Sequence, residues 1–148
     1  NIPLIAGNQL VGHIYSLFLD HEATFPLGVL LVSGGHTMIL EIDEKGEILE
    51  LASTSDDSFG ESFDKVAKML DLGYPGGAVV QQNALLCEDK ERFKFTVPLL
   101  HDKRLEYSFS GLKNQVRVEI SKLKTITQKD IADIFLYHFF LILPTSHI

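Results

Sequence analysis

The chain of 148 residues contains a single cysteine, Cys87. One cysteine excludes an internal disulfide and leaves no thiolate cluster that would hold a structural zinc ion. This usage fits a reducing compartment, and we expect a cytoplasmic protein. Because Cys87 ends the apolar run NALLC, we interpret it as a packed small hydrophobic residue rather than a reactive nucleophile.

Positive charge is also scarce. Thirteen lysines and arginines stand against 20 aspartates and glutamates, which gives a net charge of −7. Proteins that bind nucleic acid by bulk attraction neutralise phosphates with Lys and Arg. Any contact of this chain with RNA therefore needs a local patch or another subunit.

The sequence shows neither a targeting signal nor a long apolar segment. It starts at Asn1 without a methionine, a basic n-region or a signal-type cleavage site, so we expect a piece of a longer protein. The apolar tail at 131–144 is too short for a membrane span, which needs about 20 residues. We interpret this tail as a buried helix that lacks its packing partners, or as altered sequence at a truncated end.

Helix-like and strand-like segments alternate along the rest of the chain, which predicts an α/β fold. Alternation at period two predicts three short antiparallel strands between 29 and 52, joined by turns at 33–35 and at Lys45-Gly46. Residues 58–72 carry Phe63, Val66 and other apolar side chains on one face and form the clearest helix. Further helices are expected at 10–19, 78–87, 112–123 and from 130, with a short strand at 93–97.

The first candidate site is the turn formed by Ser33, Gly34, Gly35, His36 and Thr37. Glycines permit positive φ and carry no Cβ, so backbone N–H groups can converge on a phosphate, and the two hydroxyls add donors. A plain Gly-Gly hairpin explains the same residues and is the commoner case. The turn alone leaves both interpretations open.

A second glycine pair, Gly76-Gly77, follows Tyr74-Pro75 and opens a predicted helix. The free N–H groups at a helix N-terminus form a natural anion site, although a loop with a helix cap explains the pair as well. Two such elements in one small chain suggest a ligand that is held from two sides.

An acidic cluster leads into the helix at 58–72. We interpret Asp56, Asp57 and Glu61 as solvated residues that complement the dipole of this helix. Asp64 lies deeper in the helix, where its carboxylate can accept hydrogen bonds from ribose hydroxyls. An ion pair with Lys68, four residues on, is the simpler interpretation.

The six histidines form no zinc constellation. His13 has Gln9 four residues before it, where a metal-binding helix would carry a second imidazole. Spacing alone therefore predicts that His13 is a packed helix residue rather than a ligand.

Three segments, VSGGHT, GESFDKVAKMLDLGYPGG and YSFSGLK, occur in this order within 27–113 and together resemble the successive signatures of the TsaD family. That family makes the threonylcarbamoyl modification on the adenosine beside the tRNA anticodon. It formerly carried the name O-sialoglycoprotein endopeptidase, or glycoprotease. Residues 12–19 also resemble the family, whereas the tail after about 133 does not.

The resemblance implies a two-lobed α/β fold of the actin, sugar kinase and Hsp70 kind (ASKHA), with the ligand in the cleft between lobes. This chain would be a partial copy of that fold. Residues 1–26 would end the first lobe and carry the metal helix, and 27–148 would form a second lobe that is incomplete at its C-terminus.

The resemblance also implies roles for particular residues. The phosphate and acyl part of a threonylcarbamoyl-adenylate would lie against Leu31, Val32, Ser33, Gly34 and Gly35, with His36 adjacent. The nucleotide would be bound by Asp64 and Gly77.

Family members hold one divalent metal, iron or zinc, through a His-x-x-x-His helix and a distant aspartate. Here His13 matches the second histidine, Gln9 takes the place of the first, and the aspartate would lie beyond Ile148. Because catalytic sites commonly use three protein ligands, we expect metal binding by this chain to be weak or absent.

The leading hypothesis is therefore a fragment of an N6-threonylcarbamoyladenine transferase that uses threonylcarbamoyl-AMP, made from ATP. One alternative is a metal-dependent glycoprotease, which the absence of a His-Glu-x-x-His helix disfavours. Another is a non-catalytic nucleotide-binding or subunit-docking relative, which Gln9 favours.

The resemblance also names partners. These are tRNA, bound through a complex, together with a small paralogous subunit and a P-loop ATPase of bacteria. The apolar segments 14–19 and 135–143 are candidates for such a contact or for a homodimer. No membrane partner is expected.

Overall fold

The computed structural model describes residues 2–99, 103 and 106–139, with side chains as far as 134. The helices are α1 (Gln9–Tyr15), α2 (Phe59–Met69), α3 (Gly76–Ala84), α4 (Ser110–Lys122) and α5 (Gln128–Phe139). The strands are β1 (Leu27–Val32), β2 (Thr37–Ile42), β3 (Ile48–Thr54) and β4 (Glu106–Tyr107). A single 3₁₀ segment, Ser16–Leu19, continues α1.

The four strands form one sheet in the order β1-β2-β3-β4. The first three are antiparallel, as the alternating pattern predicts, and β4 pairs in parallel with the end of β3. Gly46 has a φ of 81° in the β2–β3 turn, a conformation that favours glycine. These observations confirm the α/β class and the predicted three-stranded meander.

Strand β2 lies in the middle of the meander and contributes to a core on each face of the sheet. Met38, Leu40 and Ile42 pack with Ile14 of α1 in the smaller core. Ile39 points the other way and packs on the larger core, which α2 to α5 cover. Side chains alternate across a strand, so one strand can serve both layers.

Helix α2 fits its prediction closely. Ser58 caps its N-terminus by accepting the N–H of Glu61 at 3.2 Å, and Gly73, with a φ of 86°, follows its C-terminal end. Phe63, Val66 and neighbouring apolar residues of one face are buried in the larger core. The helix thereby joins that core to the end of the sheet at which β2 begins.

The last described helix begins two residues earlier than expected. Thr127 and Asp130 bond reciprocally, since the Asp130 N–H donates to the Thr127 hydroxyl at 3.2 Å and the Thr127 N–H donates to the carboxylate at 2.7 Å. This is a capping box. The predicted apolar tail lies largely outside the residues whose side chains are described. No helix in the described part of the chain is long and apolar enough to span a bilayer.

The predicted strand at 93–97 is wrong, because this segment joins no sheet. Its alternation is real, since Phe93, Phe95 and Val97 pack toward the larger core. The backbone of Thr96 pairs instead with the Gln115 side chain of α4, whose oxygen accepts its N–H at 2.7 Å and whose nitrogen donates to its C=O at 3.0 Å. A side chain here replaces the neighbouring strand.

Candidate functional site

The β1–β2 turn closes around the hydroxyl of Ser33. That oxygen accepts the N–H groups of His36 at 3.0 Å and Gly35 at 3.3 Å, and the Ser33 N–H donates to the His36 C=O at 2.8 Å. The turn is therefore preformed by its own side chain. Gly34, Gly35 and His36 are exposed, and the Gly34 N–H has no acceptor among the described residues.

The Thr37 hydroxyl does not belong to the predicted cradle. Thr37 is fully buried, and its hydroxyl accepts the N–H of Phe59 at 2.8 Å. The expectation that this hydroxyl adds a ligand donor is wrong, because the first turn of α2 already uses it.

Two further bonds attach α2 to the same turn. The Ser58 hydroxyl donates to the Gly34 C=O at 2.6 Å, and the Gly60 N–H donates to the Ser33 C=O at 3.3 Å. A Cβ on Gly60 would lie 2.9 Å from both the Gly34 Cα and the Ser33 oxygen. Only glycine allows this approach of helix and turn without movement of the backbone.

Asp64 binds the second glycine element. Its Oδ1 accepts the N–H of Gly76, the first residue of α3, at 2.7 Å. A Cβ on Gly76 would lie 2.7 Å from the Asp64 Cα, whereas a Cβ on Gly77 would meet nothing within 4 Å. Asp64 forms no ion pair with Lys68 in the described structure, so the simpler of the two interpretations is wrong.

Helix α2 places the two glycine elements side by side. Gly60 contacts the first turn and Asp64 contacts the second, and residues four apart lie on one helix face about 6 Å from each other. Two elements that are 40 residues apart in the sequence therefore share one support. Helix α2 thus contacts Ser33 and Gly34 near its start and Gly76, the neighbour of Gly77, through Asp64.

His13 is exposed, so the expectation of a packed helix residue is wrong, and it borders the first turn from the side of α1. A cavity of about 250 Å³ between α1 and β1 is lined by His13 and by Leu31, Val32 and Ser33, with Leu17 among its apolar walls. The histidine of the predicted metal helix and the first predicted ligand residues thus border one space.

The donor set at His13 does not fit a firmly bound metal. The Gln9 side-chain nitrogen lies 3.5 Å from His13 Nε2, so the amide donates to the imidazole instead of offering a second ligand. Among the residues that the structure describes, no three His, Cys, Asp or Glu side chains are placed to hold an ion. One imidazole is too few for a transition-metal site.

Comparison with known proteins settles the family. Residues 1–143 match the profile of the TsaD family, described as tRNA N6-adenosine threonylcarbamoyltransferase. The chain belongs to the TsaD family. This match confirms the resemblance inferred from VSGGHT, FDK, YPGG and SFSGLK. The expectation that the resemblance stops near residue 133 is wrong, because the match continues to 143.

Several relatives of the same description resemble the chain over most of its length. The protein from Campylobacter concisus (strain 13826) is 94% identical over 134 residues, which are 90% of this chain and 40% of the relative. The protein from Campylobacter curvus (strain 525.92) is 78% identical over 84% of this chain and 37% of its own length. The one from Sulfurimonas denitrificans is 51% identical over all of this chain and 44% of the relative. The chain thus spans about two-fifths of the length of these relatives.

Two residues of the acidic cluster, Asp56 and Asp57, contact α4, which the sequence pattern does not predict. Asp56 accepts the N–H groups of Phe109 at 2.8 Å and Ser110 at 3.1 Å, so it caps α4 rather than α2. Asp57 is largely buried and pairs with Lys65 at 2.6 Å and with Lys113. Asp56 is exposed as expected, but it caps α4 instead of α2, and Asp57 is bonded to both helices. Glu61 lies in the first turn of α2 and pairs with Lys65 at 2.7 Å.

The pKa of Asp57 reflects these contacts. Burial raises the pKa of this carboxyl, but hydrogen bonds and charge from Lys113 and Lys65 outweigh burial and hold it below the ordinary value. The carboxylate therefore stays ionised and links α2 to α4 beside the first glycine turn.

Ser58 and Gly60 both contact the first glycine turn, but the sequence motifs predict no role for either residue. A local signal for Ser58 exists, because Ser58 and Glu61 have the spacing of a capping box at the start of an amphipathic helix. No local pattern indicates the contact between Gly60 and Gly34, since 26 positions separate them in the sequence.

Cys87 behaves as a structural residue. The thiol is partly buried, and burial together with a hydrogen bond to Asp133 raises its pKa. A raised pKa lowers the thiolate fraction, which agrees with the interpretation of Cys87 as packed rather than reactive.

Proposed function

We propose that this chain is part of an enzyme that transfers a threonylcarbamoyl group from threonylcarbamoyl-AMP to the adenosine beside the anticodon of tRNA. The observation that carries the proposal is the arrangement on α2. One helix holds the glycine turn at Ser33 to His36 and the start of α3 next to each other, and the family description supplies the reaction.

The ligand would lie across the face of α2 that carries Gly60 and Asp64. The exposed Gly34 would place its backbone N–H near the acyl phosphate, where such a donor stabilises developing negative charge, whereas the Gly35 N–H already donates to the Ser33 hydroxyl at 3.3 Å. The second carboxylate oxygen of Asp64 would accept a ribose hydroxyl, since Oδ1 is bound to Gly76. Gly77, with open space around its Cα, would let the nucleotide approach the α3 backbone.

We further propose that the complete protein has the two-lobed ASKHA architecture. Residues 1–26 would then belong to the first lobe and 27–148 to the second. The position of the 250 Å³ cavity supports this division, because it lies between α1 and β1, where the two parts meet. The cytoplasm, where tRNA is modified, would be the location.

The divalent metal of the family fits poorly here. Iron or zinc would polarise the acyl oxygen of the substrate when bound. Among the described residues that line the cavity between α1 and β1, His13 supplies the one imidazole, and Gln9 donates to it. We therefore assign no step of the reaction to a metal held by these residues.

Partner subunits would supply the positive charge for tRNA binding that this acidic chain has little of. With a net charge of −7, the chain would contact tRNA through a local patch or through another subunit, and a small paralogue and a P-loop ATPase are the proposed subunits. A homodimer is the alternative use of its exposed apolar residues, such as Leu17 and Leu19.

The contact between Gln9 and His13 favours a second candidate function, a nucleotide-binding relative without catalysis. Nucleotide binding without catalysis needs the two glycine elements and Asp64, but it needs no metal ion. Calorimetry separates the candidates, because binding of ADP without any turnover would select the second.

The decisive test of the first candidate uses the intact protein that contains this chain. The protein is incubated with tRNA, the adenylate-forming partner and labelled threonine, beside a variant in which Ser33 to His36 are replaced by a plain hairpin turn. We expect modification by the native protein only. Equal incorporation by both proteins would refute the site.

A further inference from the structure

The SFSGLK segment is a sequence motif in which no ligand residue is predicted. It directly follows β4 and includes the first turn of α4. Its contacts lie instead with the loop at 54–58, which connects β3 to α2. The loop and the motif come from positions more than 50 residues apart, so their contact is a tertiary feature.

Asp56 forms the centre of this contact. Its Oδ2 accepts the Ser108 hydroxyl at 2.7 Å, while Oδ1 accepts the N–H groups of Phe109 at 2.8 Å and Ser110 at 3.1 Å. Three donors on one carboxylate form a strong, charge-assisted cap. Ser55 adds two bonds to the Tyr107 C=O, from its N–H at 2.9 Å and its hydroxyl at 3.1 Å.

The same loop ends on the glycine turn. Two residues after Asp56, the Ser58 hydroxyl donates to the Gly34 C=O at 2.6 Å. The next two N–H groups, of Phe59 and Gly60, donate to Thr37 and Ser33. The loop therefore lies between α4 and the turn and is bonded to both.

We infer that Asp56 is a positioning residue for the glycine turn. By fixing loop 54–58 to the start of α4, it holds Ser58 and the first turn of α2 against Gly34. The inference rests on the proposed function in one respect, because the position of the turn matters for a ligand only where the turn binds one. It also gives the SFSGLK motif a role in the site without a contact to the ligand.

Hydrogen exchange measured by NMR on the chain tests the inference. The N–H groups of Phe59 and Gly60 report the contact with the turn, and the Leu70 N–H, bonded to Val66 at 3.2 Å, reports the far end of α2. We expect Asp56→Ala to raise exchange at Phe59 and Gly60 relative to Leu70 by about tenfold. Asp56→Asn keeps an oxygen for the two N–H donors and should restore most of the protection.

Asp43→Ala is the matched control. Asp43 also accepts two backbone N–H groups, those of Lys45 and Glu47 at 2.8 Å each, but it lies at the opposite end of β2. This variant should leave the exchange ratio, which is the exchange rate at Phe59 and Gly60 divided by that at Leu70, at its wild-type value. Ser108→Ala, a gentler variant that removes only the bond to Oδ2, should raise the ratio about threefold.

An unchanged ratio in Asp56→Ala, or in Ser108→Ala where the first variant fails to fold, would overturn the inference, as would an equal rise in Asp43→Ala. Titration with ADP then separates the inference from the proposed function. If Asp56→Ala raises the exchange ratio and also binds ADP about tenfold more weakly than the native chain, both the positioning role and the nucleotide site are supported. A raised ratio in a chain whose wild type binds no ADP supports the positioning role and contradicts the nucleotide site.

Discussion

Gly60 packs on Gly34 so closely that a Cβ on Gly60 would lie 2.9 Å from the Gly34 Cα. Real Cβ atoms essentially never approach a backbone carbon so closely, so a side chain at this position must move the helix or the turn. This contact fixes how the N-terminus of α2 meets the candidate ligand turn, and it yields a direct test by substitution.

Gly60→Ala should destabilise the fold by about 1–2 kcal/mol, because overpacking outweighs the gain in helix propensity. Gly77→Ala is the matched control, since Gly77 is likewise the second residue of its helix but has open space around its Cα. The control should be neutral or up to about 1 kcal/mol more stable. Urea unfolding of both variants measures the difference, and equal stabilities would contradict the close contact.

Gln9→His should create a metal site beside His13, where the native side chains do not suit a metal ion. The Gln9 side-chain nitrogen lies 3.5 Å from His13 Nε2, so Gln9→His would place two imidazoles on one helix face. We expect the affinity for Zn²⁺ to rise by about tenfold or more.

Calorimetry with Zn²⁺ and the visible spectrum of bound Co²⁺ measure that change. Gln9→Ala, which removes the amide without adding a ligand, should bind as weakly as the native chain. His13→Ala in the Gln9→His background should abolish the gain. Tight Zn²⁺ binding by the native chain would show that the description of this helix is wrong.

Asp133 should make stability depend on pH. It is buried, and it accepts the N–H groups of Glu88 and Asp89 at 3.2 Å each and a bond from Arg92 at 3.2 Å. Burial raises its pKa, but these bonds, together with a hydrogen bond from Cys87, outweigh burial and lower the pKa below the ordinary 3.8. A lowered pKa gives stability that is present above the unfolded-state pKa and is lost as pH falls through the folded-state pKa.

Asp133→Asn should therefore lower the free energy of unfolding by about 3 kcal/mol at pH 7 and by less at pH 3. Urea unfolding at pH 7, 5 and 3 measures this convergence. Glu47→Gln, which changes an exposed carboxylate in the β2–β3 turn, serves as the control and should leave the pH dependence unaltered. A constant difference between Asp133→Asn and native chain across these pH values would contradict the lowered pKa.

Cys87 should react slowly with thiol reagents. Its raised pKa, caused by burial and by the Asp133 carboxylate, leaves little thiolate at pH 8. The rate with a disulfide reagent should be about tenfold lower in the folded chain than in urea. A faster reaction in the folded chain would identify an activated thiol and reverse our interpretation.

Much of the fold could be predicted because its signals are local. The apolar face of α2, the turn at Gly46 and the alternation in β1 to β3 can each be predicted from residues that are close together in the sequence. The segment at 93–97 shows the limit of this reasoning. Its side chains alternate as in a strand, but the Gln115 side chain takes the place of a neighbouring strand.

The candidate site shows the same limit. Gly34 and Gly77 stand out in the sequence, because paired glycines before an element are conspicuous. The sequence pattern assigns Asp56 to the wrong helix, because α2 begins three residues after it and α4 begins more than 50 residues after it. Which helix a carboxylate caps is decided by tertiary contacts, which composition and spacing do not contain.

The central claim is that the turn at Ser33 to His36 and the start of α3 bind one nucleotide together. Titration of the chain with ADP, followed through the backbone N–H resonances, tests it most directly. The account predicts saturable shifts at Gly34, Gly35 and Gly77, with none at Gly46 in the remote β2–β3 turn. Shifts confined to other residues, or no shift at millimolar ADP, would contradict it.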